Sequence, residues 1–181
     1  MKVLITGGTG FIGKQIANKI LALGSLGFDG EQAQTVDKVI LFDAFAGEEL
    51  PQDPKIEVIV GDITDKSLVE SITQDIDVVW HLAAVVSSAA EADFDLGMGV
   101  NLYGLLCLLE ALRKQGSKPR VIFASGCAVF GGDLPEVVTD ETVVTPKSSY
   151  GMQKAVGELL VSDYSRKGFI DGRVLRLPTI V

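Results

Sequence analysis

The run Thr6-Gly7-Gly8-Thr9-Gly10-Phe11-Ile12-Gly13 leaves the chain little freedom in how it begins. It follows a β-branched run, Lys2 to Thr6, and opens a segment whose apolar residues Ile12, Ile16, Ile20 and Leu23 recur at helical spacing before Gly24. A strand, a glycine turn and an amphipathic helix in that order make the first half of a βαβ unit. Gly7 and Gly10 let the backbone turn tightly and approach a pyrophosphate, the amides opening the helix supply donors and positive potential, and Gly13 permits close helix-to-strand packing. The spacing is GxxGxxG rather than GxGxxG, so the reading rests on where the turn sits as well as on counting glycines. The bland alternative is a glycine-rich turn without a ligand.

The same alternation continues along the chain. Lys2–Thr6, Lys38–Asp43, Ile56–Val60, Asp77–Leu82, Arg120–Ser125 and Arg173–Leu177 read as strands, several of them apolar on both faces, which predicts helices on both sides of a parallel sheet. Between them, Thr64 is placed to cap a helix from Asp65 to Thr73, Leu102 to Leu112 forms a largely buried helix ending near Gly116, and a last helix runs from Tyr150 to Arg166. Right-handed crossovers then give an α/β, doubly wound (Rossmann) sheet of six strands in the order 3-2-1-4-5-6. Gly24 to Asp37 and Gly126 to Lys147 read as long loops. One domain is expected over residues 1–181, of which 47% are hydrophobic and 22% charged.

A net charge of −8 with no basic cluster argues against nucleic acid and anionic membrane surfaces as partners. Cys107 and Cys127 make neither a disulfide framework nor a metal-ligand set, so no metal is expected. The N-terminus enters its first strand directly, without an apolar signal or membrane segment, and a reducing, cytoplasmic setting is expected.

Asp43 ends the second strand, where its carboxylate can accept from both hydroxyls of an adenosine ribose and repel a 2′-phosphate, which predicts NAD rather than NADP. Asp62 and Ile63 after the third strand, and Leu82, Ala83 and Ala84 after the fourth, lie at the carboxyl rim where such sheets bind ligands. His81 reads as a packed strand residue. Tyr150 and Lys154 stand four apart at the start of a helix and so share a face. A neighbouring ammonium is expected to lower the tyrosine's pKa and fit it to take a proton from a hydroxyl. A bare YxxxK is common by chance; its weight comes from the glycine turn, the rim residues and its position between the fifth and sixth strands.

Taken together these residues resemble the extended short-chain dehydrogenases, the NAD-dependent epimerase/dehydratase family, over essentially the whole chain. The resemblance implies that Tyr150 is the general base, that Lys154 binds the nicotinamide ribose and tunes the tyrosine, and that Asn101 lies beside the site. It implies cofactor positions at Thr6 to Gly13, including Gly7, Gly10, Phe11 and Ile12, and at Asp43, Asp62, Ile63, Leu82, Ala83, Ala84 and Pro178. Ala84 to Ser87, Glu91 to Asp95, Asp163 to Arg166 and Leu177 to Ile180 are similar to the subgroup that oxidises small sugar acids of the D-erythronate kind. Family members usually pair through two long helices, which implies a homodimer. They also continue well past the sixth strand, so the C-terminal substrate-binding portion is expected to be absent from this chain.

One position departs from the family. Four residues before the aromatic of the VFG turn, where a Ser or Thr is expected to hold the substrate hydroxyl, stands Gly126; the neighbouring Ser125 replaces it only if the backbone has already turned out of the strand. Cys127 and Ala128 occupy the places of the Asp-Glu pair of sugar-nucleotide dehydratases, which disfavours dehydration. Three readings stay open: a sugar-acid dehydrogenase, a sugar-nucleotide epimerase, and a catalytically weak NAD-binding or regulatory module.

Overall fold

The structure, a computed structural model, describes residues 1–28, 30 and 32–180; Asp29 and Glu31 in the expected first loop, and Val181, lie outside the described residues. Six strands form one parallel sheet: β1 (Lys2–Thr6), β4 (Lys38–Asp43), β5 (Ile56–Val60), β6 (Val78–His81), β7 (Arg120–Gly126) and β8 (Asp171–Leu177). Their order is β5-β4-β1-β6-β7-β8, the expected 3-2-1-4-5-6 when counted along the chain. The chain winds outward from β1 to β5 and then returns to β6 on the other flank of β1, which opens a crevice at the carboxyl ends of β1 and β6.

Alternation along each strand sends side chains to two cores. Leu4, Ile40, Phe42, Val79, Val121 and Phe123 pack on one face against α2 (Lys66–Ile72), α5 (Leu105–Gln115) and α6 (Ser149–Arg166). Val3, Ile5, Val39, Leu41 and Val78 pack on the other, where α1 (Phe11–Leu23) contributes Ala17 and Ile20. The stretch Phe94–Gln115 is long and apolar enough to cross a bilayer, yet Leu105, Leu108, Leu109 and Leu112 within it are fully buried against the sheet, so the core accounts for its hydrophobicity.

Several local expectations are corrected. The buried face of α1 is Gly13, Ala17 and Ile20, whereas Leu23 is exposed. Gly13 decides this: a Cβ there would lie 2.4 Å from the Gly7 carbonyl oxygen, so the helix is drawn onto the turn by its small residues. Gly24 ends α1 as expected, with φ 67° and its amide on the Ile20 carbonyl. The cap of α2 is Asp65, whose Oδ1 accepts from the amides of Ser67 and Leu68 at 3.0 and 3.1 Å, because the Thr64 amide and hydroxyl are both turned back to Asp62 at 2.8 Å. The expected first loop holds a small antiparallel hairpin, β2 (Ser25–Leu26) with β3 (Gln34–Thr35). The central helix starts earlier than expected, after α3 (Ser87–Ala92), with α4 (Phe94–Gly97) and a π-helical stretch, Met98–Gly104, before α5.

Candidate active site

Gly7 follows β1 with φ 69°, and a Cβ on it would lie 2.8 Å from the Ala83 amide nitrogen, so both conformation and space exclude a side chain. Gly10 precedes α1 and no side-chain oxygen caps that helix, which leaves its first-turn amides, from Phe11 and Ile12 onward, for a ligand. Thr6 is buried beneath the turn, with its hydroxyl 2.7 Å from His81 Nδ1 and accepting from the Ala83 amide at 3.3 Å. His81 is the packed residue expected of it. Burial, reinforced by the Lys154 charge, pushes its pKa down to about 3, and its ring stacks on Phe123.

In front of the turn lies a cavity of about 840 Å³ lined by Gly7, Gly10, Asp43, Asp62, Ile63 and the rim residues Leu82 to Val86, among others. Asp43 is fixed at its wall: Oδ2 accepts from the Thr9 amide at 3.1 Å and Oδ1 from the Ala44 amide at 2.8 Å. A glycine cradle that a Cβ would fill, free helix amides and an anchored acid at the end of the second long strand suit the adenosine and diphosphate of a dinucleotide.

A second cavity, of about 350 Å³, adjoins the first through Leu82, Ala84 and Val86, and its lining includes Ile12, Gly126, Cys127, Tyr150, Lys154 and Pro178. Ser148 caps α6 by accepting from the Gly151 amide at 3.1 Å, and this places Tyr150 and Lys154 one turn apart on the helix face that meets the end of β7. The Lys154 ammonium donates to the Ala124 carbonyl at 2.7 Å and sits 4.9 Å above the Phe123 ring and 5.6 Å from the centre of the Tyr150 ring. Burial lowers its pKa to about 8. The expected depression of Tyr150 is not found. Burial, with a smaller contribution from Cys127, raises its pKa, while the Lys154 ammonium donates to the Ala124 carbonyl.

The hydroxyl of Ser125 is engaged by α6. Strand β7 persists through Gly126, paired with Leu177, so Ser125 points to the α6 face, where its hydroxyl donates to Glu158 at 2.5 Å. Glu158 in turn accepts from Arg176 at 2.7 Å. Gly126 is fully extended, with φ −160°, and a Cβ there would meet only the Leu177 carbonyl oxygen, at 3.6 Å. Ser125 nevertheless forms part of the wall of the second cavity, whereas Asn101 lines neither cavity: it is buried behind the rim, bonded to Val85 and Gln153. Gln153, Glu158 and Arg176 were missed in the sequence, where nothing distinguishes them from ordinary polar residues of two helix positions and a strand.

A doubly wound sheet with a glycine cradle at its switch point, and a Tyr–Lys pair one cavity away, defines a dinucleotide-binding domain. The model of the NAD dependent epimerase/dehydratase family matches residues 3–181, and the chain belongs to that family. It is 54% identical over 181 residues to D-erythronate dehydrogenase of Cupriavidus necator, covering 99% of this chain and 55% of that protein. Among solved structures it is similar to a nucleoside-diphosphate-sugar epimerase of Agrobacterium tumefaciens, with TM-score 0.91 and 42% identity over 99% of this chain and 53% of that one. It is also similar to UDP-glucose 4-epimerase of Thermus thermophilus in complex with NAD, with TM-score 0.81 and 31% identity over 97% of this chain and 54% of that one. The chain thus spans about half the length of the relatives it matches.

Proposed function

We propose that the protein containing this chain is an NAD-dependent dehydrogenase that oxidises a hydroxyl of a small sugar acid, D-erythronate or a near homologue. The observation that carries this reading is the adjacency of the two cavities: the one holding Tyr150 and Lys154 shares Leu82, Ala84 and Val86 as a common wall with the one built on the glycine turn. The likeness to the Cupriavidus enzyme supports that substrate class. NAD, when bound, supplies the hydride acceptor. Gly7, Gly10 and the first-turn amides hold its diphosphate, and Asp43 accepts from the adenosine ribose and excludes a 2′-phosphate. Tyr150 takes the hydroxyl proton as the carbon loses hydride, leaving a carbonyl product. Lys154, protonated at neutral pH with its pKa near 8, offers donors to the nicotinamide ribose and positive potential to the phenolate. Because burial raises the Tyr150 pKa, proton acceptance becomes easier as pH rises, and the oxidation rate is expected to climb toward alkaline pH.

The test is NADH formation by the full-length protein with NAD and four-carbon sugar acids. Turnover is expected to fall on the order of 100-fold or more in Tyr150→Phe, and NADP is expected to bind far more weakly than NAD. Wild-type protein that binds NAD and yet forms no NADH from any such acid sinks the reading. In that event the bare Gly126 and the diverted Ser125 hydroxyl favour a catalytically weak NAD-binding module. Pairing of two copies through α5 and α6 belongs to the same proposal; Tyr103, just before α5, and Leu159 on α6 are exposed as such an interface requires, and a monomeric mass by light scattering rejects it.

A further inference from the structure

Two hydrogen-bonded ties run from the rim of the larger cavity to the start of α6. The first begins at Val85, whose amide donates to Asn101 Oδ1 at 2.7 Å and whose carbonyl accepts from Asn101 Nδ2 at 3.1 Å. The same Nδ2 donates to Gln153 Oε1 at 2.7 Å. Gln153 is completely buried beside Lys154, and its Nε2 has no hydrogen-bond partner among the described residues. Gly97 makes the room for it: a Cβ there would lie 2.8 Å from Gln153 Nε2. A leucine or methionine would fill the same space without an unmet buried donor, so what the position uses is the oxygen it presents to Asn101. The second tie is Glu91 of α3, whose carboxylate accepts from the amide of Ser149, the first residue of α6, at 2.8 Å. That amide is one of the donors a helix leaves unsatisfied at its N-terminus.

The segment between the ties carries the rim residues Val85 and Val86, and the opposite ends of the ties, Ser149 and Gln153, bracket Tyr150 and adjoin Lys154. We propose that Gln153 and Glu91 are positioning residues that lock the first turns of α6 to the cofactor-facing rim, so that two hydrogen bonds, and not packing alone, set the reach from the Tyr150 phenol to the nicotinamide ring. This rests on the reading of Tyr150 as the base. The glycine turn and Asp43 lie outside the bracket, so loosening it displaces the phenol while leaving the main dinucleotide contacts intact. Misplacement by about 1 Å is enough to cost on the order of 100-fold in rate.

The experiment compares full-length wild type with Gln153→Leu, Glu91→Ala, Glu91→Gln and Gly97→Ala, the last of which pushes on Gln153 Nε2 and on Ala90 of α3 without removing either acceptor oxygen. For Gln153→Leu, Glu91→Ala and Gly97→Ala the expected result is a fall in kcat of about 10- to 100-fold with KM for NAD changed by less than about threefold. Glu91→Gln, which keeps an acceptor oxygen on Ser149, restores most of the rate. Hydrogen–deuterium exchange without substrate gives a second readout: the amides of Val85 and Ser149 exchange faster in Gln153→Leu and Glu91→Ala, respectively. Unchanged kcat and unchanged exchange in folded variants overturn the proposal, as does a loss that follows thermal stability alone. If wild type oxidises no sugar acid, the functional reading fails but exchange still decides the ties. If Gln153→Leu does not fold, the exposed Glu91 pair carries the test.

Discussion

At the residue scale, the most consequential position is the one without a side chain. Gly126 is extended in a conformation open to any residue, and the space beyond its Cα is bounded only by the Leu177 carbonyl oxygen. Gly126→Ser is therefore expected to fold with stability unchanged or raised by about 0.4–1 kcal/mol, as for other glycines whose backbone a larger residue can adopt. Its new hydroxyl beside Tyr150 is expected to raise turnover by about 10- to 100-fold through better orientation of the reacting oxygen. Steady-state kinetics on the two proteins decide it, and equal rates reject the role given to that hydroxyl. Ser125→Ala is the matched control: it breaks only the bond to Glu158, so denaturant unfolding should register a loss of about 1 kcal/mol while turnover stays near wild type. The serine was visible in the sequence, but its direction was not, because that depends on whether β7 ends before or after Gly126.

Among the elements, the cap of α2 lies one residue beyond the expected Thr64, and the tie between α6 and β8 is an ion pair; both make quantitative predictions. Asp65 rather than Thr64 caps α2, so Asp65→Ala is expected to cost about 1 kcal/mol and lower Tm by about 2–4 °C, with Thr64→Ala costing less. Equal losses in the two variants would contradict the assignment. Helix α6 is joined to the edge strand β8 by Glu158 and Arg176, whose side chains are 10% and 24% exposed and whose guanidinium also lies over the Phe130 ring at 5.0 Å. Arg176→Met strands a mostly buried carboxylate and is expected to destabilise by about 3 kcal/mol. Glu158→Leu combined with Arg176→Met should recover most of that loss in urea unfolding, since an apolar pair has no charge to desolvate. Single and double variants of equal stability would show instead that the charge itself does not matter there.

For the molecule as a whole, the buried Lys154 couples the site to global stability. Its pKa in the folded state is about 8, below the ordinary 10.5, so between those values the unfolded chain holds more protons than the folded one, and stability due to this group rises with pH. Below about 8 the folded state carries the full penalty of a buried ammonium. Lys154→Met removes the titration, so its stability advantage over NAD-free wild type should be largest near neutral pH and shrink as pH approaches 10.5; an advantage independent of pH in chemical denaturation rules this out. The doubly wound order, the glycine turn, the rim and the Tyr–Lys spacing were legible in the sequence by itself, because each depends on local periodicity or on residues a few positions apart. Which hydroxyl faces the pocket, which acid caps which helix, and the Val85–Asn101–Gln153 tie across 16 and 52 residues were decided only by the tertiary structure. A hydrogen bond between distant segments depends on strand ends, helix rotation and the space a glycine leaves open, and one-dimensional spacing does not encode these separately.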